Sequence, residues 1–136
     1  MKYIISGGGT GGHIYPALAI IDEIKSSDKN AEILYIGTKE GLESELVPKE
    51  GIKFETIRVK GLPRKINKNS FMAIKELLAG LRDSQKIIKE FKPDIVIGTG
   101  GYVCGPIVYK AAKNNIPTII HEQNAFPGIT NKILSR

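Results

Sequence analysis

Apolar and polar positions along this chain alternate with two different periods. Short runs rich in β-branched and aromatic residues occur at Lys2–Ser6, Glu32–Ile36, Ile52–Val59, Asp94–Gly98 and Pro117–His121, and such runs read as strands. Ile95, Val96 and Ile97 are apolar at successive positions, as in strands covered on both faces. The segments between them carry apolar residues at helical spacing. Pro16 opens a predicted helix through about Ser26, with Ala17, Leu18, Ile20, Ile21 and Ile24 apolar. A short helix around Leu42–Val47 is stopped by Pro48 and Gly51. Ser70 can cap a long helix to about Glu90, which Pro93 ends. Pro106 opens another to about Lys113, and a last helix begins near Ile129. Strands alternating with helices across short connections predict an α/β fold, a Rossmann-like doubly wound parallel sheet.

The long helix carries more than a core face. Ile74, Leu77, Leu81 and Ile88 fall on one line and should meet the sheet. Phe71 and Leu78 lie on another, beside Lys75, Arg82 and Lys86. This changes how the charge is read. The chain of 136 residues has a formal net charge of +6. From Arg58 to Lys92 there are ten basic residues against three acidic ones, a local +7 that leaves the remainder at −1. A basic patch concentrated in this way points to an anionic partner. One reading is a wide core face with a solvated basic edge. The other is a surface whose apolar residues enter lipid headgroups while its cations meet anionic lipid. Nucleic acid fits poorly, because the stretch has only Phe71 and Phe91 as aromatics and no recognisable binding module. No apolar run approaches the roughly 18 residues that a membrane-spanning helix needs. The single cysteine, Cys104, excludes an internal disulfide and a cysteine-rich zinc site, and suits a reducing cytoplasm. It reads as a small buried residue rather than a nucleophile.

Two glycine-rich segments carry the candidate chemistry. Gly7–His13 (GGGTGGH) follows the first predicted strand, and Gly98–Tyr102 (GTGGY) follows the fourth. Glycine permits φ > 0 and close approach to a ligand, and a helix N-terminus behind such a loop offers unpaired N–H groups to an anion. Two such loops at strand ends predict one cleft with two anionic contact points, at the switch point of the sheet. The first loop formally matches a dinucleotide fingerprint at Gly7, Gly9 and Gly12. The second strand, however, ends Tyr35-Ile36-Gly37-Thr38, without the acidic residue that would hold a ribose. No Gly-Lys-Ser/Thr follows, so it is not a Walker A loop. His13 closes the first loop. It could be a polar capping group, a general base or a phosphate donor. His121-Glu122-Gln123-Asn124 places four polar residues at the end of the last strand, either as a loop and cap cluster or as binding and acid/base groups. Two histidines without nearby partners make a poor metal site, and no metal or cofactor is expected.

Taken together, GGGTGGHIYPALA (Gly7–Ala19), YIGTKEGLESELVPKEGI (Tyr35–Ile52), the Lys60–Leu62 turn, KPDIVIGTGGYVCGP (Lys92–Pro106) and HEQNAFPGITNK (His121–Lys132) resemble the MurG family, bacterial N-acetylglucosaminyltransferases that make lipid II. The resemblance covers the whole chain. It implies the N-terminal, acceptor-side half (residues 1–136) of a GT-B enzyme whose C-terminal, donor-binding domain is absent from this chain. The chain stops inside a predicted helix, which agrees with a half-length piece that would be inactive alone. The family transfers GlcNAc from UDP-GlcNAc to the C4 hydroxyl of the MurNAc unit of lipid I, with inversion, at the cytoplasmic face of the membrane. By this resemblance Thr10, Gly11, Gly12 and Asn124 look like UDP-GlcNAc contacts. Tyr102, Asn131 and the second-loop glycines Gly100 and Gly101 look like substrate-binding positions on the acceptor side. His13 is the preferred base and Glu122 the second choice. Phe71, Lys75, Leu78, Arg82 and Lys86 would dock on an anionic membrane. Two alternatives stay open: a GT-B transferase for another lipid acceptor, against which the HEQN and GGY segments speak, and a non-catalytic membrane-anchoring subunit.

Overall fold

The computed structural model describes residues 1–8, 11–58, 68–101 and 104–121. Five strands form one parallel sheet: β1 (Lys2–Ser6), β2 (Glu32–Gly37), β3 (Lys53–Thr56), β4 (Ile95–Gly98) and β5 (Thr118–Ile120). Their spatial order is β3-β2-β1-β4-β5. The chain first winds outward from β1 to β3, then crosses to the other side of β1 to begin β4. The doubly wound arrangement predicted from the alternating pattern is therefore present, and its switch point lies between β1 and β4. Ser6 pairs with Gly98 in register, so the two glycine-rich segments leave the sheet side by side.

Strand periodicity divides the apolar residues between two cores. Ile4, Leu34, Ile36 and Val96 point to one face, where they pack with Ile87, Ile88, Ile107, Val108 and Ala111. Ile5, Ile33, Tyr35 and Ile97 point to the other, against Ile14, Ala17, Ile21 and Val47. The first set of partners comes from α3 (Lys68–Phe91) and α4 (Cys104–Lys113), the second from α1 (Gly11–Ser27) and α2 (Glu43–Lys49). Both faces are covered, which is why the inner strands read as nearly continuous apolar runs.

The helix boundaries correct the prolines. Helix α1 begins at Gly11 and carries Pro16 inside it, five residues earlier than the expected start. Pro16 lacks the N–H that would reach back to residue 12, and one missing bond near the helix start is tolerated. Helix α4 begins at Cys104, so Pro106 is its third residue, still within the turn whose N–H groups have no intrahelical partner. Ser70 likewise sits inside α3, two residues past its start, and is not its cap. Helix α2 continues through Pro48 to Lys49 rather than stopping at the proline. Pro93 does mark the end of α3: Lys92 turns to a left-handed φ of 55° just before it, closing the helix as a C-terminal cap does.

Strand β3 is shorter than the run 52–59. Arg58 leaves the sheet to meet α3, where its Nε and Nη2 donate to the two carboxylate oxygens of Asp83 at 3.1 and 3.0 Å. Its backbone N–H donates to the same carboxylate at 3.0 Å. The close approach needs Gly80, because a Cβ there would run into the Arg58 carbonyl. The Arg58 side chain is 63% exposed and that of Asp83 25%. A pair this exposed contributes about 0.2–1 kcal/mol, against about 1.5–3 kcal/mol for each fully buried isoleucine. The cores hold the fold, and the ion pair fixes where the chain enters segment 59–67.

Cys104 is fully buried. Its thiol donates to the Gly101 carbonyl at 3.2 Å, and burial pushes the thiol up to about 11. It packs in the core, as the sequence reading expected. On α3, Leu77 and Ile88 pack against the sheet, Leu81 is half-buried, and Lys75, Leu78, Arg82 and Lys86 are exposed. The side chains of Phe71 and Ile74 lie outside the described residues.

Two outcomes follow. Hydrogen bonds from Arg58 hold the Asp83 carboxyl below the usual carboxylate range. A group depressed in the folded state stabilises above its unfolded value and loses that contribution as pH falls through the folded one. Asp83→Asn should therefore lower the melting temperature by a few degrees at neutral pH, about 1 kcal/mol at most. The gap to the unsubstituted chain should close as pH falls below about 4; a gap independent of pH would assign the loss to packing. Cys104 should resist a thiol reagent in the native state and react on unfolding, and rapid native labelling would show that α4 opens readily.

Candidate functional site

The site is built where β1 and β4 end. Segment 7–8 leaves β1, and α1 starts at Gly11. Segment 99–101 leaves β4, and α4 starts at Cys104. Two helix N-termini therefore lie at the switch point, each bringing first-turn N–H groups and the positive end of a helix dipole.

The two segments are bonded to each other. The Thr99 N–H donates to the Ser6 carbonyl at 2.9 Å, and the Gly8 N–H donates to the Gly100 carbonyl at 3.3 Å. Thr99 is fully buried. Its Oγ1 lies 2.6 Å from the His13 carbonyl and 3.5 Å from that of Ser6, so its one proton goes to His13. The His13 ring returns the contact, with Nδ1 3.3 Å from the Thr99 carbonyl. In the tautomer that makes this bond Nδ1 carries the proton and Nε2 the lone pair. His13 is half-buried on the first turn of α1.

Glycine is needed for more than one reason. Gly100 and Gly101 have φ of 121° and 84°, a region that side chains rarely adopt. A Cβ on Gly100 would press into the His13 ring, and one on Gly101 into the Gly8 carbonyl. Gly7 and Gly8 have no left-handed φ. A Cβ on Gly7 would meet Thr99 Oγ1, and one on Gly8 the Glu43 carboxylate. The expectation that first-loop glycines supply φ > 0 is corrected at these two positions: they make room for the protein's own side chains.

Beneath the first loop lies a polar layer that sequence reasoning missed. The Tyr35 hydroxyl donates to the Gly7 carbonyl. Burial, then the nearby Glu43 charge, pushes this phenol far above its ordinary value, so it stays a neutral donor. Glu43 is fully buried and accepts the Thr38 N–H at 3.0 Å. The linear signal for it was faint: Gly37 and Gly41 flank Thr38 just before a helix whose first residue is acidic. Nothing in that spacing shows a contact with Gly8. Thr99 carries no signal of its own in the chain, standing between Gly98 and Gly100.

Of the residues expected at the site, Gly12 and His13 lie on the first turn of α1, with Gly11 as its first residue, and Gly100 and Gly101 lie against Gly8 and His13. Thr10, Tyr102, Glu122, Asn124 and Asn131 lie outside the described residues. His121, the first of the HEQN segment, donates its N–H to the Gly98 carbonyl at 2.8 Å, so that segment starts beside the second loop.

Comparison with known proteins agrees with this arrangement. Residues 3–136 match the glycosyltransferase family 28 N-terminal domain. A UDP-N-acetylglucosamine–N-acetylmuramyl-(pentapeptide) pyrophosphoryl-undecaprenol N-acetylglucosamine transferase of Finegoldia magna is 66% identical over the whole chain. A Thermoanaerobacter protein of the same name is 60% identical. The chain spans 37% of the length of each. The crystal structure of Acinetobacter baumannii MurG superposes with a TM-score of 0.85 at 33% identity, over 99% of this chain and 39% of that one. The calicheamicin glycosyltransferase CalG4 shares the fold at a TM-score of 0.61 and 17% identity. With nearly every residue inside the family match, and a doubly wound sheet that carries both glycine loops at its switch point, the chain belongs to glycosyltransferase family 28, in the part that forms its N-terminal domain.

Proposed function

We propose that this chain is the acceptor-side half of an inverting transferase that moves GlcNAc from UDP-GlcNAc to the MurNAc C4 hydroxyl of lipid I, giving lipid II. The observation that carries the reading is the 66% identity across the whole chain to a relative named as a UDP-N-acetylglucosamine–N-acetylmuramyl-(pentapeptide) pyrophosphoryl-undecaprenol N-acetylglucosamine transferase. The remaining length of the relatives leaves room for a C-terminal domain that would hold most of the donor.

The chemistry needs a base for the incoming hydroxyl and N–H groups or cations for the departing UDP. His13 takes the first role in this proposal, with Nε2 as the basic nitrogen while Nδ1 donates to the Thr99 carbonyl. Glu122 is the alternative base. Thr10, Gly11, Gly12 and Asn124 would contact UDP-GlcNAc. Gly100, Gly101, Tyr102 and Asn131 would bind the acceptor, whose own diphosphate a glycine loop at a helix N-terminus can cradle.

Lipid I keeps its polyprenyl tail in the bilayer, so the enzyme must come to the membrane. No helix among the described residues is long and apolar enough to cross it. Peripheral docking at the cytoplasmic face is proposed instead. The support is Leu78, 57% exposed, on the same side of α3 as exposed Lys75, Arg82 and Lys86, at spacings of three and four residues. Phe71 would extend this surface by one turn.

The direct test is a graft of this chain in place of the matching segment of the Finegoldia magna relative, assayed with UDP-GlcNAc and a lipid I analogue. Transfer is expected, and its absence in a folded, donor-binding graft would overturn the reading. In the active graft His13→Ala should lower kcat by about 10²–10⁴-fold with little change in UDP-GlcNAc affinity; near-normal turnover would move the base role to Glu122.

For the membrane surface, the chain should co-sediment with anionic vesicles, less with neutral ones, and less as salt rises. Changing Lys75, Arg82 and Lys86 to Gln should remove about 1 kcal/mol per charge. Leu78→Ser should weaken binding without lowering the melting temperature. Unchanged vesicle binding by the charge variants would leave this helix face as ordinary solvated surface.

A further inference from the structure

Glu43 is the one fully buried carboxylate among the described residues, and the proposed chemistry gives it no part. It opens α2. Besides the Thr38 N–H at 3.0 Å, Thr38 Oγ1 lies 3.4 Å from the same carboxylate oxygen. Three glycines wall it in. A Cβ on Gly8, at the start of the first loop, would collide with the carboxylate, as would one on Gly41, in the turn before α2. A Cβ on Gly37, the last residue of β2, would collide with Glu43 Cγ. An alanine at Gly8 would be conformationally ordinary, since Gly8 has no left-handed φ; the carboxylate alone among its nearest neighbours excludes it. Burying a carboxylate is costly even when it is well bonded. An apolar side chain would fill the same space at less cost, but it would not bond to Thr38.

We propose that Glu43 is a positioning residue of the transfer site, holding the Gly8 end of the first loop and through it the first turn of α1 that carries Gly12 and His13. Being fully buried, the carboxylate does not meet substrate; it acts through the loop. The inference rests on the transferase reading above for its kinetic consequence but not for its structural one.

Both consequences are measurable. In the active graft, Glu43→Ala should lower kcat on the order of 10²-fold, the scale of a small misplacement at a reacting centre, with the KM values little changed. Glu43→Gln, which keeps the shape and one carbonyl acceptor, should recover most of the loss. Gly8→Ala should be comparably damaging in the presence of Glu43. Combined with Glu43→Ala it should add no further loss, because the new methyl occupies the vacated space. If Glu43→Ala does not fold, Glu43→Ser, which also empties the space beside Gly8, runs the same cycle and the same exchange measurement.

Independently of activity, Glu43→Ala in the present chain should speed amide hydrogen exchange in residues 7–13 by about tenfold or more, while β4 and β5 amides keep their rates and Glu43→Gln stays near the unsubstituted chain. The proposal is overturned if kcat, measured well below the melting temperature, is unchanged, if the Gly8 and Glu43 losses simply multiply, or if loop exchange is unaffected. A graft that shows no transfer even with Glu43 in place sinks the transferase reading, and the exchange rates then decide by themselves whether Glu43 holds the loop.

Discussion

The contact on which the site depends is the one between Thr99 and the first turn of α1. Parallel neighbours in a sheet lie about 4.8 Å apart, and β1 and β4 pair in register up to Ser6 and Gly98. Whatever follows them must share that narrow width. Thr99 resolves the crowding by bonding to both sides of its neighbour: its N–H to Ser6, its hydroxyl to His13. The His13 ring then closes back on the Thr99 carbonyl. The imidazole is therefore held by two segments that are 86 residues apart in sequence. The bond to the Thr99 carbonyl sets the plane of the ring.

The rest of the architecture keeps that contact in place. Each face of the sheet is closed by a pair of helices, and isoleucines on alternate strand positions feed both cores. Burial at about 1.5–3 kcal/mol per large side chain outweighs the Arg58–Asp83 pair and the other surface ion pairs. Among the described residues the fully buried polar side chains are bonded within the protein. Ser6 Oγ donates to the Ile36 carbonyl at 2.8 Å, Tyr35 donates to Gly7, and Glu43 accepts from Thr38. These three lie near the carboxyl ends of β1 and β2, while buried Ser84 bonds to the Gly80 carbonyl within α3.

Much of this was legible in the chain itself. The five strands were readable because both-face burial leaves nearly unbroken apolar runs such as Ile95-Val96-Ile97, and their alternation with helices pointed to the doubly wound sheet. Helix starts were less legible. Pro16 and Pro106 looked like first-turn residues, yet the preceding segments are already helical at Gly11 and Cys104. Glycine has low helix propensity on its own, and the contacts of this segment with Thr99 and Gly100 override it. Glu43 and Thr99 were illegible for another reason. Their significance lies in partners 35 and 86 residues distant, and neither periodicity nor local spacing carries that information. Leu78 was legible only as lying off the line set by Leu77 and Ile88, with a wide core face and an exposed face both open; it is exposed.

The glycines of the two loops show how a correct location can rest on an incomplete reason. A run of glycines beside a helix N-terminus suggests a backbone cleared for a ligand. At Gly7 and Gly8 the space is instead occupied from within, by the Thr99 hydroxyl and the Glu43 carboxylate, and the backbone there is ordinary. At Gly100 and Gly101 both the unusual φ and the missing side chain are required, since His13 and Gly8 press against them. The glycine content at the switch point is thus first a consequence of two strand–loop–helix units turning at one place. The two turns are packed tightly enough that Gly8 bonds to Gly100 and the His13 ring to Thr99 across them. Close packing of the protein against itself is what these glycines serve first.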